Sequence, residues 1–273
     1  MTKQTIDIVG AGVVGLSIAL ALQKLGHDVT VLDRKGIAQE ASKGNAGAFA
    51  FSDIEPLASP GIIRKAPKWL FDPLGPLSIP PAYLPKITPW LFKFWKSSWH
   101  KKYHATLVAQ ADLMNHCKQA LERQIEDVGG EHMMLRDGML ELYEGEQQFL
   151  KARSKWKLRK ENGVKFEILN SREQIAEIQP GLSKQFTHAG FVSEWINTCN
   201  PATWAEHLAA IFILRGGDVI NMDVQSIEQS DKAITLKTNY EDRVCDKIII
   251  AAGAWSHHLS EMIGDKIPLE TER

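Results

Sequence analysis

Cysteine is scarce in this chain of 273 residues. Cys117, Cys199 and Cys245 are odd in number, lie far apart and form no CxxC pair. That argues against a disulfide framework or a zinc site and fits a reducing compartment. A long apolar run is also absent. Nothing approaches the roughly 18 uninterrupted apolar residues of a membrane-spanning helix. The first apolar stretch is broken by glycines and lacks a cleavage pattern, so no targeting segment is read and a cytoplasmic location is expected. Excess charge is missing too: the formal net charge is -1, which gives no global reason to expect nucleic acid as a partner. No short-period repeat is found. The composition that remains, 44% hydrophobic and 24% charged, suits a globular protein of one large or two ordinary domains with a substantial core.

Residues 6–34 read IDIVGAGVVGLSIALALQKLGHDVTVLDR. Thr5–Val9 is a short apolar run suited to a buried parallel strand. Gly10, Gly12 and Gly15 then form G-x-G-x-x-G. Gly10 permits the tight turn, Gly12 lets a pyrophosphate approach the backbone, and Gly15 lets the following helix pack closely on the strand. The helix is expected from Val13 to Leu25 with Gly26 as its stop. Val13 and Val14 stand at its N-terminus, where free N–H groups and a partial positive charge favour phosphates. The second strand is Asp28–Leu32. Asp33 follows 18 residues after Gly15, where an acid can accept hydrogen bonds from an adenosine ribose, and Arg34 comes next. An acid there disfavours NADP, whose 2′-phosphate it would repel. The unit alone leaves NAD and FAD open, because both use it.

Two later stretches bear on the same site. Glu40–Phe49 reads EASKGNAGAF, a small-residue cluster that lets backbone pass close to a ligand. IIIAAGAW, from Ile248, repeats the logic of the opening: a buried strand entering a glycine turn and a helix. Between them, residues 53–89 hold Pro56, Pro60, Pro67, Pro73, Pro76, Pro80, Pro81, Pro85 and Pro89, an ordered excursion rather than regular structure. Trp69, Leu70, Phe71, Tyr83 and Leu84 make it too apolar for a linker.

These stretches resemble the FAD-dependent D-amino-acid oxidase/dehydrogenase superfamily, and most closely the bacterial D-amino-acid dehydrogenases. The resemblance is carried by VGAGVVGLSIALALQKLGHDVTVLDR, SKGNAGAF, PLASPG, APKWLFDPLGPLSIPPAYLP and IIIAAGAWS. It implies an α/β fold, with a Rossmann-like FAD-binding domain and an inserted α+β substrate domain. The domain reading is 1–55 and 198–265 for FAD, 56–197 for the substrate (cap) domain, and 266–273 for the start of a return to it. FAD is the implied cofactor. Gly10, Gly12 and Gly15 would face its pyrophosphate and Asp33 its adenosine ribose, with Val13, Val14 and Arg34 also among the cofactor contacts. Ser42, Asn45, Ala46 and Gly47 would run past the flavin side, the Val224 backbone would meet the adenine, and Ala252 and Gly253 would lie near the cofactor. Family chains continue well past KIPLETER, so a C-terminally truncated member is expected, weak or inactive alone. A second chain carrying the absent region is one implied partner.

The implied reaction is oxidative deamination of D-amino acids, by hydride transfer to the flavin, giving 2-oxo acids and ammonia. A glycine/sarcosine-type amine oxidase and a non-catalytic FAD-binding fragment or subunit are the alternatives. No side-chain base is required for an amine that arrives neutral, so His188, His207, His257 and His258 receive no role and the catalytic residues stay unassigned. No metal is expected. His257 and His258 should point to different helix faces.

The remaining stretches carry weaker signals. WLFKFWKSSWHKKYH at 90–104 mixes aromatic and basic residues. It reads first as the start of an amphipathic helix packed on the second domain, with a membrane surface as the alternative. The dehydrogenase branch, associated with the inner face of the membrane, implies an electron acceptor there and a peripheral location. A long helix is expected over 105–128, and LRDGMLELYE at 135–144 as strand–turn–strand. KARSKWKLRK at 151–160 reads as a solvated helix face. Ser171 and Gln174 read as a capping box, and Asn200-Pro201 as the start of a helix to about Leu214. Strands are expected near 218–228, 232–238 and Val244–Ala251.

Overall fold

The computed structural model describes residues 2–62, 79–230 and 233–269. Pro67, Trp69, Leu70, Phe71, Pro73 and Pro76 lie outside them, as do the last four residues. In chain order the strands are β1 (Thr5–Val9), β2 (Asp28–Asp33), β3 (Ala48–Phe49), β4 (Met134–Leu135), β5 (Met139–Glu144), β6 (Glu167–Leu169), β7 (Phe186–Val192), β8 (Ile196–Thr198), β9 (Asp218–Asn221), β10 (Val224–Gln229), β11 (Ile234–Thr238), β12 (Arg243–Cys245) and β13 (Lys247–Ile250). The helices are α1 (Val13–Lys24), α2 (Leu84–Ser97), α3 (His100–Val128), α4 (Gly145–Glu161), α5 (Arg172–Ile178), α6 (Pro201–Leu214) and α7 (Ser256–Met262). The chain divides into two compact units. One is built from Met1–Ala48, Arg123–Leu135 and Asn197–Arg273, the other from Phe49–Glu122 and Arg136–Ile196.

The first unit is a parallel sheet in the order β13-β1-β2-β9. β1 is central because Ile6, Ile8 and Val9 are buried on both faces of the pleat. Ile6 and Ile8 take one face. Val9 takes the other, joining Leu32, Met222, Val224, Ile227, Leu236 and Leu259 in a core beneath the antiparallel sheet β10-β11-β12. α1 packs on β1, β2 and α6, with Gln23 Nε2 donating to the Phe212 carbonyl at 3.1 Å. Asn200 caps α6 by accepting from the N–H groups of Ala202 and Thr203.

Two expected strands are each two. The run 218–228 breaks at Met222-Asp223, so β9 joins the parallel sheet and β10 the antiparallel one. Val244–Ala251 breaks at Asp246 in the same way, and its end stops at Ile250. One β-branched run thus feeds two layers. Asp246 turns the corner by accepting from Thr5 N at 2.8 Å and Thr5 Oγ1 at 3.0 Å. Asp7, buried on β1, is held by Arg243 of β12 through two bonds of 3.0 and 3.1 Å.

The second unit has the antiparallel sheet β5-β7-β6. The expected strand–turn–strand at 135–144 is not a hairpin. β4 pairs with β8 and β5 with β7 across a bend at Gly138, whose φ is +79°. Gly190 is required on β7, because a Cβ there would lie 1.9 Å from the Trp156 ring. The capping box forms, with Ser171 Oγ accepting from Gln174 N and Gln174 Oε1 from Asn170 N.

Two further expectations are corrected here. KARSKWKLRK is not simply a solvated face. Trp156 and Arg159 lie three residues apart on α4 and both are buried. Arg159 pairs with Asp53 at 2.9 Å, Glu55 at 3.1 Å and Glu141 at 3.2 Å, with its guanidinium 4.8 Å from the Trp156 ring centre. The stretch 90–104 is not one packed helix. α2 ends at Ser97 and α3 starts at His100, and no described side chain of α2 is buried. Trp90, Phe92, Trp95 and Trp99 are exposed. No helix among the described residues is long and apolar enough to cross a membrane.

Candidate functional site

The C-terminal ends of β1, β2 and β13 open onto a cavity of about 460 Å³ in the first unit. In open α/β sheets such a crevice is where ligands bind. Eleven of the sequence candidates line it: Gly10, Gly12, Val13, Val14, Asp33, Arg34, Ser42, Asn45, Val224, Ala252 and Gly253. Gly15, Ala46 and Gly47 are not among its walls.

Each glycine has its own reason. Gly10 turns at φ +119°, and a Cβ would lie 2.3 Å from the Ala251 carbonyl oxygen. At Gly15 a Cβ would lie 1.9 Å from the Gly10 carbonyl oxygen, the close helix–strand contact expected of it. At Gly12 a Cβ would meet only the tip of Ser42, at 3.0 Å, and otherwise face open space. Gly47 is needed for φ +67° and for its approach to Thr198, not for the cavity.

The first N–H groups of a helix have no partner inside it. In α1 the Val13 N–H donates to Ser42 Oγ at 2.9 Å, and the helix offers none for Val14 or Gly15. No acid stands in its first turn. Asn45 holds the loop in shape, its Oδ1 accepting from Gly47 N at 2.8 Å. Asp33 Oδ2 accepts from Ala11 N at 2.8 Å, and Oδ1 from Lys35 N and Gly36 N at 2.8 and 3.0 Å. Ala38, buried against the same loop, adopts φ +58°, a strained conformation for alanine of the kind that gathers at ligand sites.

Sequence reasoning missed one wall. Trp255, His258, Leu259 and Met262 follow the AAG turn and line the cavity too, and Glu40 joins Arg34 near the end of β2. The signal was present in IIIAAGAWSHH, a strand entering a second glycine turn and helix. The Arg34 guanidinium lies 4.7 Å from the Trp255 ring centre and 3.4 Å from Glu40. Lys35 bonds to the same Glu40 oxygen at 2.5 Å and, with Arg34, holds that carboxyl below its ordinary range. The His257 and His258 rings do not diverge: their centres lie 3.7 Å apart, with His257 Nδ1 at 2.6 Å from the Ala254 carbonyl oxygen. Among the described residues no group of three His, Cys, Asp or Glu is placed to hold a metal.

A parallel α/β sheet whose glycine turn opens onto a strand-end crevice is the class of fold on view. The chain belongs to the DAO family of FAD dependent oxidoreductases, whose family model matches residues 6–273. It is 33% identical over 272 residues to a D-amino-acid oxidase of Bradyrhizobium diazoefficiens, covering 98% of this chain and 64% of that one. It is 25% identical to a D-amino acid dehydrogenase of Vibrio vulnificus, covering 96% and 64%. The chain therefore spans a little under two thirds of the curated relatives it matches. Its fold is similar to glycine oxidase from Geobacillus kaustophilus, with a TM-score of 0.67 and 16% identity over 97% of this chain and 59% of that one.

Proposed function

We propose that the first unit of this chain holds FAD and that the protein carries out the oxidative deamination of D-amino acids. The observation that carries the reading is the gathering of eleven sequence candidates around one crevice, in a chain of a FAD-dependent family. The residues fit the cofactor. Gly12 leaves the space a pyrophosphate needs, α1 presents N–H groups without a competing acid, and Asp33 holds the turn beside the ribose position. Segments 1–55 and 198–265 are assigned to the FAD domain and 56–197 to the substrate domain, except that Arg123–Leu135 belongs to the first compact unit.

Bound FAD supplies the two-electron acceptor. This chain's part is to anchor the phosphates at α1, to fix the Ser42–Gly47 loop by the Ser42 and Asn45 bonds, and to close the adenosine side with Val224, Trp255 and Leu259. The amino-acid substrates come to this reading from relatives named as D-amino-acid oxidase and dehydrogenase. The test has two stages. FAD is added and free cofactor removed, and retained flavin absorbance is expected. D-alanine is then added without oxygen to the chain extended by the C-terminal region that its relatives carry, and bleaching of the flavin band is expected. Retention without bleaching by any D-amino acid would sink the substrate assignment and leave the cofactor reading standing.

We also place the electron acceptor at a membrane. Residues 79–111 contain five lysines and no acid, and α2 exposes Trp90, Phe92 and Trp95. Such a surface suits an anionic bilayer. Cosedimentation with phosphatidylglycerol vesicles, lost on W90S/F92S substitution, is the expected result. Equal pelleting with and without vesicles would refute it.

A further inference from the structure

A second cavity, of about 400 Å³, is walled entirely by residues of the second unit and shares no wall with the strand-end crevice. That volume is in the range of small-ligand sites. Its buried walls are apolar: Ile54 and Val192 are buried there, beside the half-buried Phe51. Ser52 stands among them, 5% exposed, and its hydroxyl finds no partner among the described residues. Buried polar groups are normally bonded, so an orphan on a cavity wall calls for an explanation.

The more exposed walls carry charge of both signs. Asp112, Asn115 and Lys118 follow one another at intervals of three along α3, which puts them on one stripe of the helix. Lys118 and Lys165 share one carboxylate, Glu194, at 2.7 and 3.0 Å. Each ammonium has three donors, so a single carboxylate leaves donors over. The Asp112 carboxylate, by contrast, has no ion pair among the described residues. α4 ends at Glu161 in the same wall, and the carbonyl end of a helix adds partial negative charge. The Glu161 carboxylate is only loosely engaged, by Lys157 at 3.7 Å. We infer that this cavity binds a free α-amino acid with a short apolar side chain. Its carboxylate goes to Lys118 and Lys165, its ammonium to Asp112 and the end of α4, and its side chain to Ile54 and Val192. A simple anion would leave Asp112 unmatched, and a simple amine would leave the spare lysine donors unmatched. The site needs no flavin, so it stands or falls apart from the cofactor reading.

The test follows the amide shifts of the ¹⁵N-labelled 273-residue chain, without FAD, during titration with D-valine and with L-valine. Saturable shifts are expected at Asn115, Gly163 and Glu194. Isovalerate lacks the ammonium and isobutylamine lacks the carboxylate; each should bind about tenfold more weakly than the better hand of valine. Asp112→Asn should weaken valine about threefold and leave isovalerate unchanged. Lys118→Gln should weaken valine by a similar factor and leave isobutylamine unchanged. That split by charge is one that loss of fold cannot give. Asn115→Trp, at an exposed helix position, should abolish the valine shifts while the amides of the first unit stay where they were. No saturable shift with either hand of valine would overturn the inference. So would shifts confined to other residues, either analogue binding as tightly as valine, or folded variants that bind valine as the unaltered chain does.

Discussion

Replacing Arg159 by alanine removes a cation that three carboxylates of the second unit share. Its side chain is 2% exposed, whereas those of Glu55 and Glu141 are about a quarter exposed and that of Asp53 is more than half exposed. Breaking a fully buried pair costs about 3–5 kcal/mol. Asp53 can rehydrate and Lys155 still holds Glu141, so the lower end applies: about 3 kcal/mol. For a unit of this size that is a fall in Tm of about 6–12 °C. The pH dependence gives a sharper check. Burial raises the Glu55 carboxyl above its ordinary value even with Lys155 and Arg159 beside it. Its folded form therefore binds protons more tightly than its unfolded form. That contribution is fully present below the unfolded value and is lost as pH rises through the folded one. For Glu141 burial also pushes upward, but the bonds and charges of Lys155, Tyr143 and Arg159 outweigh it and the carboxyl is held low. Without Arg159 both carboxyls shift upward. The cost of Arg159→Ala should then shrink between pH 7 and about pH 4.5 as they take up protons. Urea melts at a series of pH values measure it. A cost under about 1 kcal/mol at pH 7, or one that does not change with pH, would refute the reasoning.

The glycine turn yields three more expectations. Gly15→Ala forces a methyl against the Gly10 carbonyl and should unfold the first unit or cost more than about 3 kcal/mol, read by thermal melting. Gly12→Ala meets only a side-chain tip, so melting should change by less than about 1 kcal/mol while retained FAD absorbance drops sharply. Ser42→Ala strips the acceptor from the Val13 N–H and should cost about 1 kcal/mol in a urea melt, the value of a lost helix cap.

The opening βαβ unit was legible because every signal agreed: a buried strand, three glycines at fixed spacing, a helix and an acid. The breaks at Met222-Asp223 and Asp246 were hidden because β-branched residues continue on both sides of each corner. Only the aspartates marked the turns, and nothing local says that the two halves join different sheets. Arg159 was hidden for a related reason. In a run of six basic residues, only its position three beyond Trp156 distinguishes the one that turns inward. The Trp255 side of the cavity was missed because packing after the second glycine turn depends on Arg34, more than two hundred residues earlier in the chain. His257 and His258 sit in the first turn of α7, just after the tight turn Gly253–Trp255, and nothing in the local sequence says that their rings meet.

The pairing of β1 with β13 sets a timetable for synthesis. Ile6 sits opposite Lys247 in the sheet, so the most buried strand of the first unit lacks one neighbour until 241 further residues exist. At about 5–20 residues per second, the ribosome needs on the order of 12–50 s to supply them. Residues 136–196, which hold the second unit's three-stranded sheet and the helices α4 and α5, emerge well before that. The second unit should therefore be protease-resistant on stalled ribosomes while β1 is still open to capture by a chaperone. Chains arrested before residue 247 should show this order, with the N-terminal strand cleaved and the later-born unit intact.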